Sequence, residues 1–147
     1  MLGYFVKAGD LDVAAVFNPY TRALGALLDK HLEGRDYGER LRLIVIQYHL
    51  EGRYLELPTK NYKVMPYRKN ERALSVVVGV PRSFGGLSDE EKRRFIVDST
   101  LKAVELVQAK MEHLGFTDTD FDSLVDDMKV CADQFLKPGT DELRPGQ

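Results

Sequence analysis

Two short runs, Leu43-Ile44-Val45-Ile46 and Val76-Val77-Val78-Gly79-Val80, are apolar at both parities and rich in β-branched residues. Strands of that kind must be covered on both faces, or nearly so. Both runs lie between segments with helical periodicity, so the chain has to build a sheet and lay helices on it. Upstream, Leu24, Leu27, Leu28, His31 and Leu32 recur at three- and four-residue steps and form one apolar stripe. Asn18 fits the N-cap, Pro19 the first helical position and Gly34 the C′ position, which predicts a helix over 19–33. Residues 13–17 read as a lead-in strand or an extra turn of that helix. Tyr4-Phe5-Val6 reads as an edge strand or a tucked terminus.

Downstream of the first run, Glu51-Gly52 is a turn signal, and residues 53–57 read as a second strand that Pro58 ends or confines to an edge. Residues 61–65 extend the ribbon until Pro66, residues 68–72 form a charged turn, and residues 73–80 make a third strand. Short connections between successive strands favour an antiparallel arrangement. A breaker-rich loop over 79–86 leads to Ser88 and Glu91, which have the spacing of a capping box. Phe95, Ile96, Ala103, Val104, Val107, Met111 and Leu114 then keep helical spacing over 89–114, and Gly115 closes the helix. Phe121, Leu124, Val125, Met128, Ala132 and Phe135 form a last stripe, stopped by Lys137-Pro138-Gly139. The expected fold is α+β: an N-terminal helix, an antiparallel β-meander of three to four strands, and two C-terminal helices packed on the sheet. Residues 1–138 are expected to form a single domain and residues 139–147 a polar tail.

Composition narrows the chemistry. At 147 residues the chain suits one domain. Its single cysteine, Cys131, permits neither an internal disulfide nor a Cys-rich zinc site. No basic leader precedes an apolar run, and no run approaches the roughly 20 residues that span a bilayer. A cytoplasmic protein without membrane contact is expected. Asp118-Thr119-Asp120-Phe121-Asp122 opens like a calcium loop, but Ser123 stands at its sixth position and Lys129 at its twelfth, where glycine and glutamate are needed. These aspartates suit a helix N-terminus instead. The glycine loop before Ser88 is followed by Asp89-Glu90-Glu91, which would repel a phosphate. His31, His49 and His113 have no ligand spacing, and Cys131 lies at the edge of an apolar stripe. No nucleophile motif is present, so neither catalysis, nor a metal, nor a cofactor is expected.

Charge is distributed unevenly. Residues 53–82 carry 7 basic and 2 acidic groups, whereas residues 111–147 carry 3 basic and 9 acidic ones. Within the basic stretch, Lys60, Lys63, Arg68, Lys69 and Arg72 interleave with Tyr62 and Tyr67, a pattern that can serve nucleic acid. The chain as a whole is acidic, which favours a solvated hairpin and no nucleic-acid partner. In the acidic third, Asp122, Asp126 and Asp133 are spaced by four and seven and share one helix face. Such a face suits docking to a basic partner.

A small, acidic, cysteine-poor α+β chain without catalytic motifs resembles the immunity proteins of bacterial contact-dependent inhibition and other polymorphic toxin systems. The residues that carry the resemblance are 41–54, Val76-Val77-Val78-Gly79-Val80-Pro81 and the long helix after Ser88. The resemblance implies an antitoxin that binds one cognate toxin domain, often a basic nuclease, and covers its active or substrate-binding site. Asp118, Asp120, Asp122, Asp126 and Asp127 are the contact candidates. The alternative is a small-molecule-binding or enzymatic domain with a pocket between sheet and helices, using His49, Glu51 or Tyr54.

Overall fold

The computed structural model describes residues 2–6, 11–38, 41–50, 62–66 and 73–137. Strand β1 (Leu2–Val6) leads into helix α1 (Leu11–Leu32), followed by β2 (Leu43–Leu50), β3 (Tyr62–Pro66) and β4 (Ala73–Val80). A short 3₁₀ turn, Arg82–Gly86, precedes α2 (Asp89–His113), and α3 (Phe121–Leu136) comes last. The expected strand over 53–57, the charged turn over 68–72 and the tail over 139–147 lie outside the described residues.

The strands form one mixed sheet in the order β1-β2-β4-β3. The α+β class holds, but the antiparallel meander does not. β1 pairs with β2 in parallel, and β2 pairs with β4 in parallel from Leu43↔Ala73 to Leu50↔Val80. Among the described strands only β3 and β4 run antiparallel, with Tyr62 opposite Val78 and Pro66 opposite Leu74. Two facts of chain path explain the difference. β1, α1 and β2 make a crossover unit, and such a unit delivers parallel strands. The connection over 51–61 is long enough for β3 to skip one position, about 9–10 Å away, and leave the gap that β4 fills. The doubly apolar runs are thus the two central parallel strands, the usual place for such sequences.

Alternation divides the sheet into two faces. Ile44, Ile46 and Tyr48 of β2 and Val76, Val78 and Val80 of β4 join the main core with the helices. Ser75 and Val77 of β4 and His49 of β2 are buried on the opposite face. α1 lies mainly against β1, and α2 against β2, β3 and β4. Of the two C-terminal helices only α2 has the sheet as a main partner. α3 packs on α1 and α2, because those helices already occupy the sheet, and buries Phe121, Leu124, Met128, Cys131 and Phe135 between them. Each such apolar side chain contributes about 1.5–3 kcal/mol by leaving water.

α1 begins well before Asn18, so Pro19 is inside the helix rather than at its start. Proline removes one ladder bond, and packing along the rest of a 22-residue helix outweighs that loss. The extra-turn reading of residues 13–17 is therefore the right one. α2 starts as its sequence indicates: Glu91 N donates to Ser88 Oγ at 3.1 Å, and Ser88 N donates to Glu91 Oε1 at 3.2 Å.

Candidate partner-binding face

The end of α2 and the start of α3 are joined by a tight reversal. Gly115 takes a positive φ of 82°, Phe116 N donates to Met111 O at 2.9 Å, and Gly115 N donates to Glu112 O at 3.0 Å. This pair of bonds satisfies the last carbonyls of α2 and turns the chain back. Asp120 then caps α3, accepting from Ser123 N at 3.1 Å and from Ser123 Oγ at 2.8 Å. Those two hydrogen bonds hold its carboxyl below the usual carboxylate range. The helix-capping reading of the Asp118–Asp122 motif is thus met by Asp120.

Helix α3 is anchored at both ends. At one end the segment after α1 clamps the start of α3: Asp120 N donates to Tyr37 O at 2.6 Å, and Tyr37 OH donates to Asp127 Oδ2 at 2.6 Å. Arg35 adds an ion pair to the same carboxylate at 3.3 Å. Burial, and then the bond to Asp127, push the Tyr37 phenol well above its ordinary value. At the other end, Arg93 of α2 is 4% exposed. Its Nη1 donates to Phe135 O at 2.6 Å, its Nε donates to Asp89 Oδ2 at 2.7 Å, and its guanidinium lies 5.2 Å from the Phe135 ring centroid. Burial raises the Asp89 carboxyl, but bonds from Arg93 and from Tyr20 OH outweigh it and hold Asp89 below the carboxylate range. Tyr20 is pushed up to about 12 by its own burial and by that bond to Asp89.

Tyr37→Phe removes one hydrogen bond to a half-buried carboxylate and leaves the ring in place. The expected loss is about 1.5–3 kcal/mol of folding stability, read from urea unfolding curves. An unchanged midpoint would mean that Arg35 alone holds Asp127.

Between these two anchors runs an open trough of about 530 Å³. Glu105 on α2 faces Asp122 and Asp126 on α3 across it, above an apolar floor of Leu101 and Val125. Among the described residues, Lys129 is the one cation that lines it. The trough continues into a smaller hollow of about 140 Å³, which holds Glu112, Asp120 and Thr119 and shares Gln108 and Asp122 with it. Asp122 and Asp126 are exposed and make no ion pair or hydrogen bond among the described residues. Glu105 is bridged to Lys102 at 3.4 Å.

Of the five aspartates singled out by sequence, Asp120, Asp122 and Asp126 line this continuous surface. Asp118 lies exposed on the approach to α3. Asp127 lines neither hollow and is held by Tyr37 and Arg35. Sequence reasoning missed the α2 wall. Its signal was present, because positions 101, 105, 108 and 112 step by four, three and four along one helix face.

The other candidates do not converge. His49 is buried on the sheet face away from the core, with Gln47 Oε1 3.5 Å from its Nε2. Its suggested companions Glu51 and Tyr54 lie outside the described residues. A gap of about 10 Å³ among Leu24, Leu28, Val97, Met128 and Ala132 is far below the roughly 300–1,000 Å³ of ligand pockets. Cys131 is buried, donates to Leu27 O at 3.6 Å, and has its thiol pushed up by burial. Of the basic stretch over 60–72, β3 is described, and Lys63 is half-buried there opposite Val77.

Fold and face together define a small α+β domain that presents an acidic trough between two helices. The family model for immunity protein 44 matches residues 4–134, and the chain belongs to that family. It is a bacterial immunity protein of a toxin system. No curated protein and no solved structure matches it. Among the described residues, no helix is long and apolar enough to cross a membrane.

Proposed function

We propose that this chain is a cytoplasmic antitoxin that neutralises one cognate toxin domain, a nuclease, by covering its active or substrate-binding site. Family membership gives the antitoxin role and the toxin as partner. The nuclease reading is supported by one observation: Asp122 and Asp126 stand without a partner among the described residues, on a trough wall, α3, that is anchored at both ends. Carboxylates in that arrangement imitate the phosphates that a nuclease's lysines and arginines bind. Asp118 and Asp120 extend the charge, and Asp127 supports it through the Tyr37 clamp. The apolar floor supplies the dry contact that charge alone lacks. The inhibition is stoichiometric and involves no catalysis by this chain.

The test is to mix the purified protein with the toxin domain encoded beside it. A one-to-one complex by light scattering, with nuclease activity abolished at equimolar protein, is the expected result. A toxin that binds but acts on something other than nucleic acid would remove the nuclease reading. Absence of any complex would remove the antitoxin assignment of this pair.

A further inference from the structure

Helices α2 and α3 form an antiparallel hairpin. The reversal over 114–120 joins the end of one to the start of the other, and Arg93 near the start of α2 meets Phe135 near the end of α3. The trough between them therefore has a direction as well as a charge. On each helix its lining positions, 101–108 and 122–129, run over two turns, roughly 10 Å. Asp122 stands at the end nearest Gln108, and Lys129 at the end nearest Leu101. Glu112 and Asp120 add negative charge beyond the Asp122 end. Glu105 and Asp126 stand between the two ends, above the half-buried Leu101 and Val125. The carboxylates are thus strung along the walls rather than gathered on one point, and the floor beneath them is apolar.

We propose that the trough receives a basic amphipathic helix of the toxin, which lies parallel to α3 with its N-terminus at the Asp122 end. The proposal rests on the antitoxin reading above and names the element that the partner presents. Both walls are helices whose backbone groups are bonded internally, so they offer no main-chain ladder to an extended strand. A helix brings its own backbone already satisfied. Its apolar side chains, at three- and four-residue steps, meet Leu101 and Val125, and lysines or arginines on its flanks meet Glu105 and Asp126. A third helix about 8–10 Å from its neighbours is ordinary ridge-into-groove packing. Its direction follows from the helix dipole: the positive N-terminus faces the acidic end, and the negative C-terminus faces Lys129. Other occupants have the wrong charge. The stretch over 139–147 carries Asp141 and Glu142 against Arg144, and a second copy brings the same net charge of −2.

The probe is a stapled helical peptide of about 14 residues, roughly 21 Å long, with leucines on one face, lysines on both flanks and a nitroxide at either end. Amide signals of the intact protein report its binding. Saturable shifts are expected along 101–108 and 122–129. The N-terminal nitroxide should broaden Gln108 and Asp122 most, and the C-terminal one Leu101 and Lys129. A peptide of the same composition with its leucines dispersed should bind about fivefold more weakly or worse. The Glu105→Gln/Asp126→Asn pair should weaken the helical peptide about fivefold at low salt, with the urea midpoint little moved. Equal binding of the dispersed peptide, unchanged affinity in the double variant, or broadening in the reverse sense overturns the proposal. So does self-association of the free protein that shifts the trough amides, since a second copy would then be the occupant. With the toxin domain itself, Val125→Thr, which keeps the side-chain shape, should raise the dissociation rate severalfold. A toxin complex indifferent to Val125→Thr and to the double variant overturns the trough as the docking site and keeps the antitoxin reading. Peptide docking as expected, with no toxin complex, removes the antitoxin reading and keeps the helix-binding trough.

Discussion

Replacing Asp122 and Asp126 together with lysine is expected to slow association with the toxin by about 10- to 100-fold at low salt. The pair converts four units of local charge on one wall of the trough, opposite Glu105. Both residues are exposed and unpaired among the described residues, so no bond described for the folded state is lost. Stability should move by no more than about 0.5 kcal/mol, as for ordinary surface positions. The slowing should fade as salt rises, because the Debye length falls to about 10 Å at 0.1 M and less above it. Stopped-flow mixing across a salt series measures this directly. The chain has no tryptophan, so the optical signal must come from the toxin or from a label. Asp133 is the internal control: it shares the acidic helix face by spacing but does not line the trough, and its reversal should change the rate little. Equal slowing by Asp133→Lys would make the effect one of net charge alone. An unchanged rate at low salt in the double variant would sink the electrostatic part of the mechanism while leaving binding intact.

The trough was half legible in the sequence, and the division follows from what periodicity can carry. A helix face is a local property, so Asp122 and Asp126 were readable from spacing alone, and Glu105 and Glu112 were readable in the same way. Which two faces meet is not local. Asp126 and Asp127 are neighbours in sequence, yet one lines the trough and the other is consumed by Tyr37, 90 positions earlier in the chain. The strands show the same limit. The runs over 43–46 and 76–80 announced two covered strands, and both are central. Their direction is not legible from loop length: short connections suggest hairpins, whereas β2 and β4 pair in parallel. The continuous apolar pattern, which marks parallel central strands, carried the better information. Helix ends with side-chain caps were read well: Ser88 with Glu91, and Asp120, make the bonds their positions imply. Asn18-Pro19 misled because the same two residues that open a helix are also tolerated inside one whose packing is extensive.

Gly38→Ala is expected to cost about 2–4 kcal/mol, the largest stability effect of any single methyl addition considered. Gly38 has a φ of +136°, a conformation closed to residues with a side chain. A Cβ there would also lie 2.6 Å from Asp118 O and 2.9 Å from Thr119 Cα. Both neighbours are backbone, so no rotamer change relieves the overlap and the two segments must separate. The Asp120 N to Tyr37 O bond spans the same junction and should break with it. Since Asp120 caps α3 and Thr119 lines the hollow, the damage reaches the binding face as well as the fold. Gly34→Ala provides the comparison. That glycine also has a positive φ, +75°, but nothing lies within 4 Å of its added Cβ, so only the conformational cost of about 1 kcal/mol applies. Urea unfolding of the two variants should therefore differ severalfold in lost stability. Amide exchange should show Gly38→Ala loosening residues 117–124, with Gly34→Ala leaving them protected. Equal losses in the two would mean that the contact between the Tyr37 segment and the start of α3 is not tight in solution. The trough would then be open to rearrangement before the toxin arrives, and its affinity would rest on the partner to order it.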